Sequence, residues 1–371
     1  MEGARTIDGK APRSLPRAAY TSPAFFQAEM EHIHLRQWFF VGRTDEVSEP
    51  GDYRAVDTVA GPVLLLRDRD GTLRAFANSC RHRGSLLLSG SGNCRAVVCP
   101  YHGWGYRLDG SLAGAPEMEK CPEFQAKEQG LVPIRLETWG GFIFLTLDEG
   151  APPLLRHLGN LPEVFGSHRL EDMVCTWRIE FDAKCNWKLL LENAMEPYHT
   201  GYIHATTVGA QAADVIATTG AWECIQVIDD RSIAVLGTGK PPFPPLEGLS
   251  AQSRRGTYFS LIHPTTQFAV AQDSMWWLQV RPIAADRSIL SIGGCFPRAV
   301  TARNDFAEHA ALYYERWRKV GEEDVGMLEI QQQGLASLLY KPGLLGPREG
   351  VMHRMDQWVL AQLPDSAKAF S

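Results

Sequence analysis

Two short motifs of mixed ligand chemistry constrain this chain more than any other feature. They are Cys80-Arg81-His82 and Cys99-Pro100-Tyr101-His102-Gly103-Trp104, with sixteen residues between His82 and Cys99. Each arm supplies one thiolate and one imidazole. In a 2Fe-2S centre two thiolates hold one iron and two imidazoles the other, and neutral imidazoles raise the reduction potential above that of an all-cysteine cluster. Two Cys with two His is also a zinc set. Zinc fingers group Cys with Cys and His with His, whereas both arms here are mixed, which favours the iron-sulfur reading. Gly103, Trp104 and Gly105 suit a tight loop packed over such a cluster.

The surroundings of these arms read as a small antiparallel β domain. Over residues 50–147, β-rich runs at Pro62–Arg67, Leu73–Ala77, Ala96–Cys99 and Gly141–Leu147 alternate with Gly, Asp and Pro. Asp70-Gly71 and Asp109-Gly110 read as hairpin turns. Residues 24–41 carry helical periodicity, with Phe25, Phe26, Met30, Ile33, Trp38 and Phe39 as buried positions. Ala151-Pro152-Pro153 reads as a linker. Beyond it the chain is mixed, with strands expected around 174–182, 222–237, 257–271, 275–282 and 288–296. Helices are expected around 184–198, 301–320 and 323–340, and a Pro- and Gly-rich loop at 238–248. The fold class is therefore α+β, a curved antiparallel sheet closed by helices.

Composition excludes several functions. The 371 residues are 44% hydrophobic and 22% charged, with a net charge of −6, so neither a disordered chain nor a nucleic-acid-binding surface is expected. Eight cysteines are spread along the chain at 80, 94, 99, 121, 175, 185, 224 and 295. Without a secretion signal, metal binding or free thiols are expected in place of a disulfide framework. The N-terminus MEGARTIDGK is polar, and the longest apolar runs are too short to span a bilayer. A cytoplasmic protein that does not enter membranes is the expectation. No G-x-G-x-x-G follows a strand, so the chain is not expected to bind a nicotinamide itself.

A second candidate site lies in Asn186-Trp187-Lys188…Glu192-Asn193-Ala194-Met195-Glu196-Pro197-Tyr198-His199…His204. His199 and His204 are five apart, which on a regular helix leaves their side chains ~140° apart. They reach one metal only if the helix ends or distorts, and Pro197 and Gly201 provide reasons for that. Two histidines at this spacing do not on their own mark a metal site.

C-R-H-R-G…C-P-Y-H-G-W-G-Y closely resembles the cluster domain of Rieske-type non-heme iron oxygenases, and N-W-K-L…E-N…E-P-Y-H-x4-H resembles their catalytic-domain motif. The resemblance covers almost the whole chain. It implies the terminal oxygenase subunit, with a helical segment at 1–37, a Rieske domain at 38–150 and a helix-grip catalytic domain at 151–371. It implies a 2Fe-2S cluster on Cys80, His82, Cys99 and His102, and a mononuclear Fe(II) on His199, His204 and a distant carboxylate, leaving positions open for dioxygen. The family carries an acidic pair near the start of a late helix, with the second member on iron, which makes Asp324 the third ligand ahead of Glu323. The alternative is that these acids only favour the positive end of that helix.

Glu196 is implied to bridge the cluster of one subunit to the iron of its neighbour, from His102 through Glu196 to His199. Asn193 and Tyr198 are implied to orient the ligands. A homotrimer follows, because in relatives the in-chain distance between the two metals is too long for electron transfer. A separate NAD(P)H-dependent reductase with flavin and an iron-sulfur centre, or a ferredoxin, would supply electrons. Arg81 and Arg83 would either dock that partner or form structural salt bridges. Pocket candidates are Tyr202, Val208, Phe259, His263, Met275 and Trp277.

Glutamate at 196 resembles the branch that includes carnitine and glycine betaine oxygenases and monooxygenases that dealkylate. The expected reaction is oxidative N-dealkylation of a small amine or amide, such as a chloroacetanilide-like xenobiotic. Alternatives are a quaternary ammonium monooxygenase, an arene cis-dihydroxylating dioxygenase of aromatic hydrocarbon catabolism, and a Rieske protein that only transfers electrons.

Overall fold

Asp70-Gly71 and Asp109-Gly110 turn two hairpins, and both glycines take positive φ, 84° and 85°. In the computed structural model, which describes residues 11–236 and 241–368, these hairpins belong to a unit spanning residues 35–154. Its strands are β1 (Phe39–Arg43), β2 (Asp52–Thr58), β3 (Gly61–Arg67), β4 (Leu73–Ala77), β5 (Ser91–Asn93), β6 (Val97–Val98), β7 (Gly105–Tyr106), β8 (Leu112–Gly114), β9 (Arg135–Trp139) and β10 (Phe142–Thr146). They form three sheets in the orders β1-β10-β9, β4-β3-β2-β5 and β6-β7-β8. The helix expected over 24–41 stops early. Helices cover Arg17–Thr21 and Pro23–Glu29, a π turn covers Met30–His34, and Phe39–Arg43 is a strand paired with β10. Phe25, Ile33, Trp38 and Phe39 are buried as expected, but the last of these lies on a strand, where burial on both faces gives no helical period.

The second unit joins the residues up to 34 to 155–371. Its frame is a seven-stranded antiparallel sheet of β11 (Met173–Ala183), β12 (Ala213–Val215), β13 (Trp222–Ile228), β14 (Gly256–Ile262), β15 (Thr266–Val270), β16 (Met275–Ala284) and β17 (Arg287–Pro297). The order is β11-β17-β16-β15-β14-β13-β12. The loop expected at 238–248 falls partly outside the described residues.

Helix Trp187–Ala194 is capped by Asn186, whose side chain accepts from Lys188 N–H at 3.0 Å. Residues 187–192 are all buried. The helices expected at 301–320 and 323–340 are one helix, Phe306–Leu335, of 30 residues. Gly321 interrupts the apolar pattern without breaking the helix. A Cβ there would meet Ile292 and Phe181 at 3.1 Å, so the glycine lets the helix lie close on the sheet.

Candidate iron-sulfur and mononuclear iron sites

The two cysteine arms form two similar loops. Cys80 N–H bonds Ser85 O at 2.8 Å and Gly84 N–H bonds Cys80 O at 2.9 Å. Likewise Cys99 N–H bonds Trp104 O at 2.8 Å and Gly103 N–H bonds Cys99 O at 3.1 Å. Gly84 and Gly103 both close their loops at φ 73°, a conformation that favours glycine. Cys80 and Cys99 are buried, while His82 and His102 are exposed, with ring centroids 4.7 Å apart. His82 stacks on Trp104 at 5.0 Å.

The donors around the thiols suit thiolates. Burial raises the Cys99 thiol, but backbone N–H groups of Tyr101 and His102, together with Cys80 and Ser85, outweigh it and bring it down. Tyr106 Oη lies 3.3 Å from Cys80 Sγ and accepts from Arg81 N–H at 3.0 Å. A hydrogen bond to a cluster thiolate is one of the levers on its potential. Tyr106 carries no signal at ligand spacing and was missed from sequence. Among the described residues the set whose ligand atoms gather around one point is His199, His204 and Asp324, not the four side chains of the two arms. All eight cysteines are free. Arg81 and Arg83 are exposed. Arg83 lies over the Tyr101 ring at 5.4 Å, and neither arginine enters an ion pair among the described residues.

The second site is built by a break in the helix. Helix Trp187–Ala194 ends before Pro197, and a single turn, Thr200–Ile203, follows with His199 at its N-cap and His204 at its C-cap. The two imidazoles thereby meet, with centroids 5.2 Å apart. His204 Nε2 is 3.0 Å and His199 Nε2 3.9 Å from Asp324 Oδ1. One ligand atom from each of the three residues lies within 4.8 Å of the others.

Both imidazoles are held from behind. His199 Nδ1 donates to Glu196 Oε1 at 2.7 Å, and His204 Nδ1 to Glu323 Oε2 at 2.7 Å. Thr207 Oγ1 also donates to Glu323 Oε2, at 2.8 Å. These bonds fix the tautomer that leaves both Nε2 atoms free for a metal. Burial disfavours charge on His204, yet Asp324 and Glu323 raise its pKa overall. Asn193 Nδ2 donates to Asp324 Oδ1 at 2.9 Å. The donor set of two imidazoles and a carboxylate fits ferrous iron.

The acidic pair is not at a helix start but in the middle of Phe306–Leu335, so the helix-dipole alternative fails. Glu323, the rival ligand by sequence, bonds the Nδ1 side of His204 instead. Glu196 Oε2 accepts from the N–H groups of Tyr198 and His199. The Tyr198 side chain is 55% exposed and engages none of the ligands. Only its backbone takes part.

Beside the three candidate ligand residues is a cavity of about 90 Å³. Of the six pocket candidates, Val208 and Phe259 line it. Tyr202 does not, being 83% exposed. His263 stacks on Trp358 at 4.1 Å. Met275 and Trp277 are buried on the other face, where Trp277 packs over Gly293 and under Arg178. The neighbours Trp276 and Leu278 face the cavity. Alternation along β16 explains the error, since a shift of one residue exchanges the faces. Ile225, Phe259, Ala269 and Trp276 sit opposite one another across β13, β14, β15 and β16, forming one row of the cavity wall.

A cluster-binding loop pair and a two-histidine, one-carboxylate site define an oxygenase that receives its electrons through a Rieske centre. The chain belongs to the ring-hydroxylating alpha subunit family. Residues 170–365 match the model "Ring hydroxylating alpha subunit (catalytic domain)" and residues 37–125 the "Rieske [2Fe-2S] domain". It is an enzyme that uses a Rieske cluster and a mononuclear iron, so the electron-carrier alternative is set aside.

Among its relatives, chloroplastic choline monooxygenase of Spinacia oleracea is 29% identical, covering 93% of this chain and 77% of that one. The glycine betaine monooxygenase oxygenase subunit of Pseudomonas aeruginosa is 29% identical, covering 89% and 84%. The carnitine monooxygenase oxygenase subunit of Escherichia coli is 35% identical over 52% of each chain. The crystal structure of a quaternary ammonium Rieske monooxygenase with L-carnitine superposes with TM-score 0.81 at 26% identity, covering 95% and 96%. Naphthalene 1,2-dioxygenase, at 19% identity and TM-score 0.76, shares the fold. No helix among the described residues is long and apolar enough to cross a membrane.

Proposed function

We propose that this chain is the oxygenase component of a monooxygenase that hydroxylates the carbon next to the nitrogen of a small quaternary ammonium compound. The observation that carries it is the convergence of His199, His204 and Asp324 at the wall of a largely apolar cavity. Relatives named for choline, glycine betaine and carnitine support the substrate class. The amide and chloroacetanilide version gives way to this one, since those relatives are named for ammonium substrates. The arene dioxygenase alternative rests on fold likeness alone.

In this reading residues 38–150 carry the cluster on Cys80, His82, Cys99 and His102, residues 151–371 carry the iron, and residues 1–37 lead into the latter. When bound, the cluster delivers electrons singly and the mononuclear iron provides the place where dioxygen is reduced. Glu196 and Glu323 hold the two imidazoles by Nδ1 so that Nε2 is aimed at the metal position, and Asn193 fixes the Asp324 oxygen. The apolar walls exclude water around the C–H bond. One dioxygen, two electrons and two protons give the hydroxylated carbon and one water. The carbinolamine then loses its C–N bond, releasing an aldehyde, a tertiary amine and a proton. In a homotrimer, Glu196 would also meet His102 of a neighbouring copy, since the exposed imidazole edge is where the cluster is accessible. A separate NAD(P)H-dependent reductase supplies the electrons, and exposed Arg81 and Arg83 suit an acidic docking face on it. The protein works in the cytoplasm.

The test is reconstitution with a surrogate reductase, NADH and labelled dioxygen. One dioxygen consumed per aldehyde and amine released, from glycine betaine, carnitine or choline, is the expected result. A diol formed from naphthalene, with no amine released from any ammonium compound, overturns the reading.

A further inference from the structure

One residue of the cavity wall is not explained by iron binding or by the fold. Arg316 lines the cavity from the long helix and is only 4% exposed. Its guanidinium lies over the Trp276 ring at 4.7 Å. Its Nε has no hydrogen-bond partner, and among the described residues the side chain forms no ion pair. Burial pulls its pKa down to about 10, against the pull of the Asp324 and Glu323 carboxylates, so it remains charged at neutral pH. A second cavity-lining donor, Trp317 Nε1, is also unpartnered. One unpartnered acceptor, Gln267 Oε1, stands against these two donors.

A buried charge without a counter-ion is costly to the folded protein. The Asp324 carboxylate does not fill the role, since it is drawn to the histidines and Asn193. A cation in a low-dielectric cavity also repels a second cation that enters alone. The guanidinium fork, by contrast, matches a carboxylate in two parallel hydrogen bonds. Trp276 has one face covered by this guanidinium, which removes that face from use against a quaternary ammonium group.

We propose that Arg316 is the carboxylate-recognition residue of the cavity, and that the substrate is a betaine-type zwitterion, a small acid bearing a quaternary nitrogen, as opposed to a bare cation such as choline. This rests on the quaternary ammonium reading for the nitrogen end only; the acid end rests on Arg316. Arg316 and Asp324 are eight positions apart on one helix, about 12 Å along its axis. Both residues line the cavity, so a carboxylate held by Arg316 is anchored at one end while the nitrogen-bearing carbon is presented toward the other.

The experiment separates the two charges. Binding to the iron-loaded oxygenase is measured by calorimetry with four probes of similar shape. Glycine betaine has both charges, choline only the cation, 3,3-dimethylbutanoate only the carboxylate, and 3,3-dimethylbutanol neither. The same panel is run on Arg316→Met, which keeps the volume, and Arg316→Lys, which keeps the charge. Melting temperature and Rieske spectrum verify that each variant is folded. Both acids should bind at least tenfold tighter than their alcohols in the native protein. Arg316→Met should weaken the acids by about 100-fold, the scale for removing one partner of a buried charge pair, leave 3,3-dimethylbutanol nearly unchanged, and tighten choline by removing the like charge. Arg316→Lys should retain part of the preference.

Equal binding of acid and alcohol in the native protein overturns the inference, as does an acid preference that survives in Arg316→Met. The quaternary ammonium reading fails separately, if 3,3-dimethylbutanoate binds as well as glycine betaine and no ammonium compound is turned over. An Arg316-dependent acid preference would still stand in that case.

Discussion

At the scale of single residues, the iron site is a matter of which oxygen faces which nitrogen. Asp324 and Glu323 are neighbours in sequence but do different things. Asp324 Oδ1 approaches the Nε2 atoms, and Glu323 Oε2 takes the Nδ1 proton of His204. Asp324→Ala should therefore abolish turnover and lower the iron content from three per chain to two, with the Rieske spectrum intact. Loss of the spectrum together with the iron would mean that the residue maintains the fold instead.

The same scale shows what sequence reading could and could not propose. Cys80, His82, Cys99 and His102 could be proposed because ligand chemistry and loop spacing are local. His199 and His204 were legible once Pro197 and Gly201 gave the helix a reason to end. Tyr106, Thr207 and Arg316 were not, because nothing in a lone Tyr, Thr or Arg says which thiol, carboxylate or cavity it will face.

At the scale of elements, the catalytic helix is anchored by charge as well as by packing. Lys188 Nζ bonds Glu29 Oε1 at 2.6 Å, with both side chains fully buried. Glu29 Oε2 also accepts from Trp187 Nε1 at 3.0 Å. This ties helix Pro23–Glu29 to helix Trp187–Ala194, which leads directly toward His199 and His204. Lys188→Met should cost about 3–5 kcal/mol, because Glu29 is left buried and unpaired. Replacing both partners by apolar residues of similar size should recover much of that loss, as chemical denaturation of the single and double variants would show. If the single variant costs under about 1 kcal/mol, the pair adds no more than an exposed ion pair would. The splitting of the long helix into two in the sequence reading has a physical source at this scale. Gly321 looks like a break, yet it serves close approach to Phe181 and Ile292.

At the scale of the catalytic unit, three separate parts of the chain meet in one buried acidic cluster. Tyr20 Oη donates to Glu192 Oε1 at 2.9 Å, and Asp356 lies beside Glu192, its pKa raised well above the ordinary range by burial and by that neighbour. Burial likewise pushes Glu192 up to about 7, despite Tyr20 and Lys188. Between its ordinary value near 4.5 and about 7 the folded state holds a proton that the unfolded chain has released. Stability is therefore full below about 4.5 and falls as pH rises toward 7. Glu192→Gln should flatten that fall, measured as urea midpoints between pH 5 and pH 7.5. An unchanged slope would place the proton elsewhere.

The ligand chemistry, the α+β class and the family were readable from the chain as written, because they depend on residue type and on spacings of a few positions. Side-chain direction was decided in three dimensions. Whether Trp276 or Trp277 faces the cavity depends on the parity of one strand in a seven-stranded sheet. Asp324 reaches histidines 120 or more positions away because a continuous helix crosses that sheet at a glycine. Arg316 stands out only when packing closes a cavity around a charge that no carboxylate among the described residues pairs with directly.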